Sequence, residues 1–168
     1  MTSGFTVGQL RPDEAEDIAG WRYDPPYDLY DVDIDPERLL DRARFAAVRD
    51  AGGGLIGYCC FDEEARVPGG RYVDAALDIG WGMRPELTGQ GRGRDFVEAI
   101  AAHVRPQAGP RPLRVTIAEW NGRSQRAAAS AGIGVLRERF LAADGVWFSV
   151  LLGPREQSVP GTTVPGTD

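Results

Sequence analysis

Lysine is missing from this 168-residue chain: all 19 basic residues are arginine, and 25 acids outnumber them to give a net charge of −6. That balance argues against a general nucleic-acid binder. Cysteine is nearly absent too. Cys59 and Cys60 are adjacent, so on a strand they point to opposite faces, which disfavours a bridge between them. They also lack the spaced partners of a zinc site, so no metal is expected and one or both read as small core hydrophobes. No apolar run approaches the ~18 residues of a membrane span. The N-terminus has no basic segment followed by an apolar stretch, which implies no secretory signal and a cytoplasmic protein. The single histidine, His103, falls on a helix beside Val104 and reads as a surface residue.

What is present suits one domain, placed at residues 1–153, followed by a tail at 154–168. From Gly153 on the chain is Pro, Gly, Ser and Thr with few apolar residues, a composition expected to be disordered. Phe5–Leu10 reads as a strand, and Pro12-Asp13-Glu14 opens a helix that turns Ile18 and Trp21 inward. Tyr23–Tyr30, with three tyrosines and two prolines, reads as a loop, and Pro36–Ala43 as a short helix. Phe45–Arg49 and Leu55–Asp62 flank Gly52-Gly53-Gly54 as a hairpin, and Ala75–Met83 is the next strand. Phe96, Val97, Ile100, Ala101 and Val104 share one face of a helix over Asp95–Val104. Leu113–Ala118 is a strand and Ser124–Ala131 a helix ended by Gly132, while Val135–Leu141 and Val146–Leu152 form a last hairpin. The order β-α-α-β-β-β-α-β-α-β-β predicts a mixed, mostly antiparallel α/β sheet with flanking helices.

Charge is unevenly spread. Residues 24–41 hold seven acids against Arg38, whereas residues 84–139 hold ten arginines against five acids. An acidic lobe followed by a basic one implies two ligands of opposite sign. Within the basic lobe, Thr88-Gly89-Gln90-Gly91-Arg92-Gly93-Arg94 lies between a strand and a helix. Alternating glycines leave backbone N–H groups uncovered, and those at a helix N-terminus point along a partial positive charge, which suits a diphosphate. The spacing fits neither the dinucleotide fingerprint G-x-G-x-x-G nor an NTPase P-loop.

The stretch from Leu77 to Gly93, with Pro85-Glu86 ahead of the glycines, resembles the coenzyme-A motif of the GNAT acetyltransferase superfamily, Q/R-x-x-G-x-G/A. Gly91 and Gly93 match it and Thr88 departs from it. Asn121-Gly122-Arg123-Ser124, with Gly132 eleven residues after the asparagine, resembles the second motif, and the element order is also the family's over residues 5–152. The resemblance implies a GNAT-like acyl-CoA N-acyltransferase fold with acetyl-CoA as co-substrate and an amine as acceptor. Backbone groups of Trp81, Gly82 and Met83 would bond the pantetheine arm. The turn Gly89, Gln90, Gly91, Arg92, Gly93 and Arg94 would cradle the diphosphate. Asn121 would reach the arm or simply cap a helix. Arg123 and Arg126 either approach the ribose phosphate or stay solvated. No nucleic acid or membrane partner is implied, and a homodimer is an open alternative.

Direct transfer needs a neutral amine, a polarised carbonyl and a protonated leaving thiolate. Many relatives protonate the thiolate with a tyrosine seven residues after the motif asparagine, and here that residue is Ala128. The family's aromatic after the second-motif glycine is Ile133. For a base the chain offers Asp78 or Glu119, although a structural pairing accounts for either acid equally well. Deprotonating a lysine-type amine at pH 7 costs about 4.6 kcal/mol, against about 1 for an α-amine, so weak base equipment suits the latter. The Asn-x-x-Ser pattern also looks like the branch that acetylates ribosomal-protein N-termini. In the family the region after the first helix lines the acceptor pocket, which assigns Tyr23, Tyr27, Asp28 and Tyr30 to a cationic amine, one tyrosine replacing the missing proton donor. The competing readings are a small-molecule amine acetyltransferase and a non-catalytic acyl-CoA-binding regulator on the same fold.

Overall fold

Residues 4–73 and 75–154 are described by the structure, a computed structural model. The elements follow the predicted order: β1 (Thr6–Gly8), α1 (Pro12–Ala19), α2 (Pro36–Leu39), β2 (Phe45–Arg49), β3 (Leu55–Phe61) and β4 (Leu77–Met83). α3 (Gly93–Ala108), β5 (Leu113–Ala118), α4 (Gly122–Ser130), β6 (Val135–Leu141) and β7 (Trp147–Leu152) complete it. The sheet runs β1-β2-β3-β4-β5-β7-β6, antiparallel at each pairing except the parallel β4–β5. The expected mixed sheet with flanking helices is what forms.

Two predicted boundaries shift for local reasons. α2 stops at Leu39, after which a turn from Asp41 feeds β2. α3 runs to Ala108 with Pro106 inside its last turn, because Ala108 is drawn into the core. Gly153, the last residue of the domain as placed from sequence, donates to the Leu113 carbonyl at 2.9 Å and prolongs β7, while residues 155–168 of the expected tail lie outside the described residues.

Alternation along the strands sorts side chains to two faces. Leu77, Ile79, Trp81 and Met83 of β4, with Leu113, Val115 and Ile117 of β5, pack on Phe96, Val97, Ile100 and Val104 of α3 and on Ala128 of α4. α1 and α2 cover the other face through Ile18, Trp21 and Leu39. Gly57 permits the close approach of β3 to α3, since a Cβ there would stand 2.7 Å from the Phe96 ring. Among the described residues no helix is long and apolar enough to cross a membrane.

The sheet is barely continuous at its centre. β4 and β5 register only through Leu77–Leu113 and Asp78–Arg114. At that second pair the fully buried Arg114 grips Asp78 bidentately, Nε to Oδ1 at 2.6 Å and Nη2 to Oδ2 at 2.7 Å. Arg66 adds a third bond, Nε to Oδ2 at 2.8 Å, and the Tyr72 ring lies under the Arg114 guanidinium at 5.0 Å. Of the two roles open for Asp78, base or structural pairing, the geometry is that of an ion-pair centre with both oxygens engaged.

Truncating one partner of such a pair leaves the other charged and buried, which costs about 3–5 kcal/mol. Asp78→Asn and Arg114→Met should each lose stability of that order in urea unfolding. The double variant Asp78→Leu/Arg114→Met should lie closer to wild type than either single; additive losses would contradict the pairing.

Candidate functional site

Just beyond the Asp78–Arg114 pair the two parallel strands part, and a cavity of about 790 Å³ occupies the wedge. Its walls are Ile79–Met83 of β4 and Val115–Ile117 of β5, and it reaches residues on both faces of the sheet. Hydrogen-bond phase decides which backbone groups line it. Arg84 N–H bonds Ile56 O at 2.7 Å, which makes Met83–Gly57 a widely spaced pair and Gly82–Tyr58 a bonded one. Gly80 and Gly82 therefore turn their N–H and C=O to β3, while Ile79, Trp81 and Met83 turn theirs into the wedge. Of the expected Trp81–Met83 contacts, Trp81 and Met83 are the ones whose main chain is directed there; Gly82 lines the cavity with its own amide turned to β3.

On the α3 face the mouth is formed by the glycine turn. Gly89 and Gly91 have φ of 73° and 76°, in the left-handed region, and a Cβ on Gly91 would meet nothing within 4 Å. Gly89, Gly91, Arg92, Gly93 and Arg94 line the cavity, whereas Gln90 does not and bonds back to Glu86 O at 2.9 Å. Glu14 closes the first turn of α1, Asp35 that of α2 and Asn121 that of α4, but no side chain caps α3 at Arg92. Its first amides are left facing the mouth. Arg92, Arg123 and Arg126 also line the cavity, and none makes an ion pair among the described residues; Arg94 is held by Glu98 at 3.0 Å.

Asn121 sits at the end of β5, where Oδ1 accepts from Ser124 N at 3.1 Å. Its Nδ2 donates to Ser124 Oγ and to Tyr30 Oη, each at 3.1 Å. The cap reading is therefore realised, and the amide is saturated by protein.

On the opposite face the segment after α1 closes the cavity. Tyr23 donates to the Met83 carbonyl at 2.6 Å, and its own N–H bonds Asp31 at 2.8 Å. Burial, with Asp31 and Glu86 adding, pushes the Tyr23 hydroxyl well above its ordinary value. Tyr30 is raised by burial, against the hydrogen bond from Asn121 and one from the Ala118 backbone. The Tyr27 ring meets Trp120 edge-on at 5.2 Å, and its face is covered by the Arg123 guanidinium at 4.6 Å.

Tyr23, Tyr27 and Tyr30 line the cavity as expected, but Asp28 does not: the turn over Tyr27–Tyr30 leaves it exposed, and Asp24 is the lining carboxylate instead. Neither expected base reaches the cavity. Glu119 is paired on the surface with Arg139, Oε1 to Nη2 at 2.7 Å, and Asp78 is enclosed at the fork. The residues missed by sequence reasoning are Asp24, present in the quoted acidic segment, and Thr116, whose signal was its place on the Arg114–Ala118 face of β5. Among the described residues no cluster of His, Cys, Asp and Glu is placed to hold a metal ion.

Residues 8–133 match the sequence profile of the acetyltransferase (GNAT) domain. Among solved structures the chain is similar to a GNAT-family acetyltransferase from Bacillus anthracis, at 14% identity and a TM-score of 0.69, over 94% of this chain and 98% of that one. It is similar also to a chimera of the Vibrio cholerae spermidine N-acetyltransferase and hSSAT, at 17% identity and 0.65, over 89% and 95%. A third is the aminoglycoside acetyltransferase AAC(6')-Ib in complex with coenzyme A, at 14% and 0.67, over 91% and 95%. Among curated proteins none matches.

The Tyr23 bond ties the segment after α1 to the end of β4, and losing it orphans a carbonyl, so Tyr23→Phe should cost about 1 kcal/mol in urea unfolding. Because the folded hydroxyl is raised, its contribution is whole below the ordinary value of 10.0 and is lost as pH climbs above it. The alkaline decline of wild type should accordingly be steeper than that of Tyr23→Phe; parallel curves would count against the bond.

Proposed function

The chain belongs to the GNAT acetyltransferase family, and on that premise we propose that it is an acetyl-coenzyme-A-dependent N-acetyltransferase acting on a cationic primary amine. The observation that carries this reading is the slot through the sheet, with the glycine turn and uncapped α3 at one mouth and the tyrosine-rich segment at the other. The residues suit the co-substrate. Gly91 leaves open a space that any side chain would fill, and the α3 amides with Arg92, Arg123 and Arg126 offer donors to a diphosphate. Trp81, with both its backbone groups, and Met83, with its N–H, are placed where an amide-bearing arm can pair as though it were a further strand, the Met83 carbonyl being held by Tyr23.

Acetyl-coenzyme A supplies an activated acetyl thioester. The wedge-facing N–H groups of Trp81 and Met83 would orient its carbonyl and offer a donor to the oxygen where charge develops. A proton must reach the leaving sulfur. Ala128, at the family's tyrosine position, is fully buried and has none to give. Tyr23 donates to Met83, whereas Tyr30 accepts from Asn121 Nδ2, so its own proton is available for donation into the cavity. We assign the donor role to Tyr30. The acceptor enters past Asp24, and the acids of residues 24–41 favour a cation there, in keeping with the spermidine and aminoglycoside acceptors named for two neighbours. The amine's proton passes to water or to Asp24, Asp78 and Glu119 being engaged elsewhere. A small molecule and a protein N-terminus both satisfy this chemistry. The missing tyrosine also keeps a second reading in view, an acyl-CoA-binding regulator without turnover.

Coenzyme A at a hundred times its dissociation constant should stabilise the fold by about 2.7 kcal/mol. Gly91→Val, free of clash but strained by its φ, should lower the apo midpoint modestly and abolish that shift. A retained shift would mean the turn is misassigned, and stabilisation without thiol release across an amine panel would favour the regulator. In steady-state kinetics Asp24→Asn should raise the acceptor's Michaelis constant and blunt its salt dependence while leaving that of acetyl-CoA alone. Tyr30→Phe should instead lower kcat, by roughly a hundredfold. The reverse partition would remove both assignments.

A further inference from the structure

The Arg123 side chain links two parts of the cavity. It rises from the first turn of α4, and its guanidinium carbon stands 4.6 Å above the centre of the Tyr27 ring. Its Nη2 and Cζ lie 3.4 and 3.7 Å from where a Cβ on Gly89 would stand, so the guanidinium covers the backbone of the glycine turn. Gly89 belongs to the anion-facing mouth, Tyr27 to the opposite wall, and Tyr27 in turn abuts the part-exposed Trp120. Arg126, by contrast, folds back towards Gly122.

We propose that Arg123 binds the diphosphate of coenzyme A and fixes the Tyr27 wall in the same act, so that cofactor arrival is felt on the acceptor side; this rests on the cofactor reading above. The physical basis is the dual nature of a guanidinium. Its edge N–H groups pair with phosphate oxygens while its face stays on an aromatic ring. An exposed stack of this kind is weak by itself and leaves Tyr27 free to move. An anion that pins the guanidinium over Gly89 pins the ring with it, and reciprocity requires an acceptor resting on that wall to tighten cofactor binding equally.

The test uses protein labelled with 5-fluorotryptophan, whose four tryptophans give four fluorine resonances, that of Trp120 being assigned with Trp120→Phe. Coenzyme A and dephospho-coenzyme A are titrated in, with affinities measured by calorimetry. In wild type both ligands should move the Trp120 resonance as well as that of Trp81, which lines the cavity. Arg123→Met should weaken both ligands equally, by about tenfold, and leave Trp120 unmoved at saturation while Trp81 still responds. Arg123→Lys should recover much of the affinity but little of the Trp120 shift, since an ammonium lacks the flat face that rests on the ring while edge N–H groups serve the phosphates. Unchanged affinity in Arg123→Met, or a persisting Trp120 shift, overturns the proposal. A loss confined to coenzyme A overturns it too, by moving the contact to the 3′-phosphate. If wild type binds neither ligand and Trp81 stays still, the cofactor reading itself has failed.

Discussion

The Asp78–Arg114 pair stands where the chain changes from a sheet into a site. β4 is held on its other side by β3 and β5 by β7, so the protein consists of two half-sheets joined by two register pairs and one buried ion pair. A hydrophobic pair at this position would pack as well, and buried ion pairs are weak contributors to stability once desolvation is counted. What the guanidinium–carboxylate pair adds is a fixed planar geometry and a fixed separation. Three bonds onto Asp78 and the Tyr72 ring beneath Arg114 leave the apex little freedom. The angle of everything beyond it follows: the facing backbone groups, the reach of the cavity through the sheet, and the separation of its two mouths.

That separation gives meaning to the uneven charge. Of the ten arginines over residues 84–139, Arg84, Arg94, Arg114 and Arg139 are tied to carboxylates. Arg92, Arg123 and Arg126 gather at the α3 mouth. The acids of residues 24–41 belong to the opposite side, where Asp31 orients Tyr23 and Asp24 lines the entrance. On the proposed reading, opposite fields at two ends of one slot would keep an anionic co-substrate and a cationic acceptor from competing for a single entrance.

Element order, the glycine turn and the Asn121 cap could all be read from the chain, because each depends on residues close in sequence. What stayed hidden depends on distant partners. Nothing around Asp78 announces that Arg114, 36 residues on, will enclose it, and an acid in a strand looks equally like a base. Tyr30 and Asn121 are 91 residues apart, so the bond between them has no local signature. Asp24 and Asp28 are indistinguishable by composition, and the turn at Tyr27–Tyr30 separates them. Gln90, inside the glycine motif, turns back to Glu86 because left-handed residues on either side rotate its side chain away from the mouth.

On the proposed reading, capture and chemistry make opposing demands of the acceptor. An acidic entrance attracts the ammonium form but also raises the amine's pKa, and releasing that proton at pH 7 already costs about 4.6 kcal/mol for a lysine-type amine. The arrangement of groups offers a physical escape. The carboxylates stay at the rim, where solvent screens them, while the wedge presents neutral backbone groups and tyrosine hydroxyls held protonated by burial. An amine passing from rim to wedge loses hydration and its counter-charges together, and both losses disfavour the charged form. The gradient from charged entrance to neutral interior therefore favours release of the proton at the rim, where water or Asp24 takes it, before the neutral amine enters the wedge.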